Sequence, residues 1–120
     1  MNRFVFGLAA VLAAGCAGDE PFGVSTGFGA LRMANSTNVA VYYVVMESEF
    51  AARADWTPCI NPSTCPQVAP YREKRVAFEE IAGYEPGDTE AILYWWHLEP
   101  GPADGFQPDS IHAIRLHLRL

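Results

Sequence analysis

Tyr42-Tyr43 and Tyr94-Trp95-Trp96 crowd five aromatic side chains into two short apolar runs. Neighbouring residues of a strand face opposite ways. One of Trp95 and Trp96 therefore enters the core, and the other faces outward or a covering loop. An outward Trp beside a Tyr can stack on a sugar ring or a peptide side chain. The candidate ligand-binding set is Trp95, Trp96, Tyr43 and Trp56; in the alternative both tryptophans are packed, with Trp56 and Phe106 as covers. His97, His112 and His117 are the chain's three imidazoles. In one regular strand an odd separation puts His112 and His117 on opposite faces, with His112 in phase with Ile114 and Leu116 and partly buried. A copper or zinc site would need His97 with one of them plus a carboxylate or Met46. No spacing motif supports one, so no metal ligand is assigned. Asp109, Ser110 and His112 are close in sequence, but triads are assembled in space and no GxSxG is present. Glu99, Asp104 and Asp109 lack the spacing of an EF-hand calcium loop. No catalytic residue and no cofactor are expected.

The amino-terminal residues, MNRFVFGLAAVLAAGC, carry a different kind of chemistry. Arg3 is followed by an uncharged apolar run over Phe4 to Ala14, then by small residues before Cys16. That order is a secretory signal peptide. The apolar run falls short of the roughly 20 residues a spanning helix needs. Ala13-Ala14-Gly15-Cys16 resembles the lipobox of bacterial lipoproteins, with Ala13 where Leu is commonest. The resemblance covers residues 1–16 only. It implies a diacylglyceryl group on the Cys16 thiol, cleavage before that residue, and attachment to a bilayer by acyl chains. One chain binds reversibly, whereas two or more hold firmly. Ala17 lacks the aspartate that retains such proteins in the inner membrane, so the resemblance favours the outer membrane in a diderm cell. With Cys16 given to lipid, Cys59 and Cys65 of CINPSTC remain, and an oxidising compartment makes their disulfide the expectation.

Removal of residues 1–15 leaves 105 residues, enough for one domain with a real core. All 14 acidic side chains lie in that part against seven basic ones, a net charge of −7. This balance argues against nucleic acid as a partner and against adhesion to anionic lipid heads.

Residues 16–28, the acylated cysteine followed by AGDEPFGVSTGF, read as a flexible stalk. From residue 29 the sequence predicts strands. Leu31 and Met33 alternate with Arg32. VAVYYVVM (39–46) is apolar on both faces, the pattern of a central strand. Residues 47–55 can form a short helix. Lys74 to Glu79 turns Val76 and Phe78 inward, EAILYWWHL (90–98) is a second apolar strand, and residues 99–110 read as a long Pro/Gly loop. Ile111 to Leu120 alternates cleanly. These elements predict an all-β domain over 29–120, a small antiparallel β-sandwich with an immunoglobulin-like form as one option; the alternative is a small α+β domain. The expected role is a membrane-anchored envelope lipoprotein acting as a non-catalytic interaction or structural module, with the bilayer and an envelope protein as partners. Glycan-like ligand binding through the aromatic face and periplasmic metal binding are the alternatives.

Overall fold

The computed structural model describes residues 21–119. The signal segment, Cys16 and the first residues of the expected stalk lie outside the described residues, as does position 120. The strands are β1 (Phe22–Gly27), β2 (Ala30–Asn35), β3 (Val41–Glu47), β4 (Gln67–Val68), β5 (Arg72–Ala77), β6 (Glu90–Trp96), β7 (Leu98–Pro100), β8 (Phe106–Pro108) and β9 (His112–His117); one six-residue helix, α1 (Ser48–Arg53), follows β3. The chain is thus mostly β, and every sheet pairing is antiparallel. A single short helix does not make the α+β arrangement.

Three strands in the order β1-β2-β5 form sheet A, and four in the order β4-β3-β6-β9 form sheet B. Neither closes into a barrel among the described residues. Apolar residues at every second position explain which faces meet. Leu31 and Met33 of β2 and Val76 of β5 are buried against Val41, Tyr43 and Val45 of β3, Leu93 of β6 and Leu116 of β9. Arg32 stands on the opposite, solvent side of β2. As expected, β3 is central: it has no Gly or Pro to interrupt it, and both of its faces are covered. Phe78 turns inward, yet it sits in a 3-10 turn rather than in the strand.

Asn35 is the only buried polar residue among those described. Its Nδ2 donates to the carbonyls of Val39 (2.8 Å), Val68 (3.0 Å) and Ala69 (3.3 Å), and its Oδ1 accepts from the Thr37 amide (3.0 Å) and hydroxyl (2.7 Å). One amide side chain thereby ties sheet A to the β4 segment of sheet B. At α1, the Glu47 carboxylate accepts from the amides of Glu49 and Phe50, satisfying donors a helix start leaves free. Those amides hold the Glu47 carboxyl below the usual glutamate range. Gly83, at φ +81°, lies against Phe50; a Cβ there would run into the Phe50 ring.

Three expectations need correction. The stalk does not extend to residue 28: from Phe22 the chain is a strand fully paired with β2, and Phe22 is buried. Phe22 and Val24 supply an inward face, while Gly23, Ser25 and Gly27 supply an outward one of small residues that reads as a linker in isolation. Residues 99–110 are not an open loop. They contain the β7–β8 hairpin, with Leu98 opposite Pro108 and the Gly101 amide bonded to the Gly105 carbonyl at 2.8 Å. His112 shares the Ile114 side of β9 but is exposed, because it lies at the strand's start, beyond the covered core.

Candidate functional site

Sheet B turns both of its faces to protein, and this decides the fate of the aromatic candidates. On the core side, Trp95 is half-buried, with Phe22 at 4.9 Å between ring centroids, His112 stacked at 4.2 Å and His97 edge-on at 5.6 Å. On the far side, Trp96 is buried at 1% exposure. Its Nε1 donates to the Cys59 carbonyl at 3.1 Å. Trp56 covers it, at 4.7 Å from the Tyr94 ring and 6.1 Å from the Trp96 ring. Burial pushes the Tyr42 phenol on this same side upward in pKa. Cys59 and Cys65 are disulfide-bonded, with Cα atoms 5.7 Å apart, and the loop they close lies over this aromatic layer. Phe106 is not a cover for either tryptophan; it is an exposed residue of the β7–β8 hairpin.

The four ligand-binding candidates therefore do not form one platform. Trp95 and Trp96 are committed to opposite faces, Tyr43 is buried in the core, and Trp56 is spent on Tyr94 and Trp96. Tyr43 and Trp96 do reach a cleft of about 700 Å³ beside β3, which is also lined by Val45, Cys65, Gln67 and Lys74. The Lys74 ammonium lies 5.6 Å from the centre of the Tyr43 ring. The cleft exists because β3 loses its neighbour there. The Tyr43 amide donates to the Pro66 carbonyl at 3.3 Å, and a proline has no N–H to return the bond. Further along β3 the next backbone partner is Ala82, bonded to the Val45 carbonyl at 3.4 Å and the Glu47 amide at 2.8 Å.

The histidines are similarly divided. His97 Nδ1 lies 3.8 Å from an Asp109 carboxylate oxygen, and its Nε2 is buried without a partner among the described residues. His112 Nε2 lies 3.3 Å from the Ser110 hydroxyl, but Asp109 faces His97 rather than His112, so the three neighbours in sequence do not assemble a triad. His117 stands opposite Glu90 at the far end of β9, and Met46 is buried opposite Ile92. No group of three or more His, Cys, Asp or Glu among the described residues is placed to hold a metal ion. Glu99 accepts from the Gln107 amide at 2.9 Å, remote in its bonding from Asp109. The best-formed ion pair is Glu90 with Arg115 at 2.8 Å. Arg115, then the Ser48 hydroxyl, hold the Glu90 carboxyl below its ordinary pKa, and Glu90 raises that of Arg115. Both side chains are well exposed, and the pair joins β6 to β9 rather than forming a site.

Sequence reasoning missed sheet A as a surface. Its outer face is made of Gly23, Ser25, Gly27, Arg32, Ala34, Glu73, Arg75 and Ala77, alternate residues of its three strands, and Arg32 stands directly opposite Arg75. The signal was available in the alternation of β1, but the small residues masked it. No family model, no curated protein and no solved structure matches this chain.

Proposed function

We propose that this protein is an exported envelope lipoprotein, held to a bilayer by an acylated Cys16, whose folded part is a small β-sandwich acting as a non-catalytic interaction or structural module. The observation that carries the reading is the Cys59–Cys65 disulfide. It accounts for two of the chain's three cysteines and fits an oxidising compartment. The remaining one, Cys16, stands directly after Ala13-Ala14-Gly15, where lipid attachment needs it. Among the described residues no helix is long and apolar enough to cross a membrane, so in this reading acyl chains supply the attachment. The outer membrane is the proposed location in a diderm cell. The test is expression in a bacterial host with lipoprotein processing and radiolabelled palmitate. The wild-type protein incorporates label and fractionates with membranes, and Cys16→Ser does neither. Absence of label from the wild-type protein contradicts the proposal.

A further inference from the structure

We propose that sheet A, with Phe28 at the tip of its β1–β2 hairpin, is the face this domain lays on the phosphate headgroups of its own bilayer. The inference rests on the acylation of Cys16 proposed above and adds the orientation of the domain to it.

The strands of sheet A differ in charge from the rest of the described chain. The strands β1, β2 and β5 carry Arg32, Arg72, Lys74 and Arg75 against Glu73 alone, a net of +3; Arg32, Arg75 and Glu73 stand on the outer face, a net of +1, while Arg72 and Lys74 alternate to the other side of β5, Lys74 towards the Tyr43 ring. All other described residues carry three basic side chains, Arg53, Arg115 and Arg119, against eleven acidic ones, a net of −8. A uniformly acidic domain would be repelled by anionic headgroups. A domain with this asymmetry is turned by them: the acidic part is pushed away and sheet A is drawn down. The acyl chains hold the protein, and the charge separation sets which way it faces.

The outer face of sheet A is suited to that contact. Arg32 and Arg75 are register partners. Like charges directly opposite one another destabilise a sheet. Here the only ion pair that relieves them is Arg32 with Glu73, at 3.7 Å and 62% exposure on both sides, and Arg75 has none among the described residues. A phosphate oxyanion accepts paired hydrogen bonds from guanidinium groups and would relieve the repulsion. Around the two arginines the floor is low. Among the described residues nothing lies within 4 Å of where a Cβ would stand at Gly23 or Gly27, so these two positions are open.

Phe28 and the length of the leading chain supply two further observations. Phe28 is 97% exposed and adopts φ 55°, a left-handed conformation that bulky residues seldom take. Asn, Asp or Gly would suit this tight turn better. A ring held in water at such a conformation, beside a basic face, suits burial in the headgroup–acyl boundary. Only six peptide units separate Cys16 from Phe22, so the start of β1 lies within about 20 Å of the anchor. The six residues of β1 then run about 20 Å to the hairpin tip. With one end of β1 tethered and the other bearing Phe28, a strand lying along the bilayer brings both ends to it.

The experiment uses the full processed protein reconstituted into vesicles of equal parts phosphatidylethanolamine and phosphatidylglycerol with brominated acyl chains, which quench indole at the bilayer. The reporter is Phe28→Trp, read as the emission added over the wild-type protein. Thermal unfolding confirms that it and a Phe28→Trp variant also carrying Arg32→Ser and Arg75→Ser fold as the wild type does. The added emission is expected to be strongly quenched in these vesicles, and the two arginine substitutions are expected to remove at least half of that quenching, as is high salt. Mass spectrometry of the amino-terminal peptide is run on the same sample. Acylated Cys16 with unquenched added emission, or with quenching indifferent to the arginines, overturns the orientation and leaves the lipoprotein reading standing. Unmodified Cys16 overturns both.

Discussion

Asn35 shows how much one side chain can hold together in a small domain. Five hydrogen bonds converge on its amide, and three of them reach carbonyls of the β3 approach and the β4 segment. Asn35→Ala removes the donor shared by the carbonyls of Val39, Val68 and Ala69 and the acceptor of the Thr37 amide and hydroxyl, and a buried polar group left short of a partner costs about 1–3 kcal/mol. With several groups affected, the expected loss is about 2–3 kcal/mol, measured by urea unfolding; a loss within error of zero contradicts the role. In the sequence, Asn35 reads only as the start of a turn cluster, because its partners lie up to 34 residues away. Glu47 gives a second prediction, on pH. Its folded pKa is lowered by the Glu49 and Phe50 amides, so its stabilisation is complete above the unfolded value and is lost as pH falls through the folded one. The thermal midpoint of the wild type should exceed that of Glu47→Gln at neutral pH, and the gap should close under acid. A gap that widens under acid would contradict the assignment.

At the scale of elements, legibility followed from how a strand is covered. The apolar runs of β3 and β6 and the alternation of β2 and β9 state their own burial, and the structure places them as expected. β1 and the β7–β8 pair do not state theirs. Four of the six residues of the first are glycine, serine or threonine, and the second is punctuated by Pro and Gly. Each becomes a strand through a partner that supplies the other half of the ladder, and no local pattern encodes that partner. The aromatic site was half-readable for a related reason. Alternation separates Trp95 from Trp96, but which loop covers which face depends on where the disulfide loop folds back. That loop is an element with its own prediction. Closing about seven residues by a disulfide contributes about 2 kcal/mol by chain entropy. The double variant Cys59→Ser/Cys65→Ser should lose about this much stability and expose Trp96, shifting its emission to longer wavelength. Unchanged emission would mean that the loop covers Trp96 without its disulfide.

At the scale of the whole molecule, the parts divide, in the proposed reading, into an attachment, a charged face and an acidic remainder. The Cys59–Cys65 bond leaves one cysteine over, placed where a lipobox needs it. The basic strands of sheet A lie on the part of the domain that the leading chain enters. The net charge of −6 conceals this division, because it sums a +3 sheet with a remainder of opposite sign. In the proposed orientation it is the charge of sheet A, rather than the net charge, that meets the headgroups.

Intact-mass and peptide mass spectrometry of protein taken from its native membranes test the central claim most directly. The account predicts a mature chain that begins at Cys16 with diacylglyceryl on its sulfur and a Cys59–Cys65 bridge. A chain that begins elsewhere, or one with a free Cys16 thiol, would contradict it.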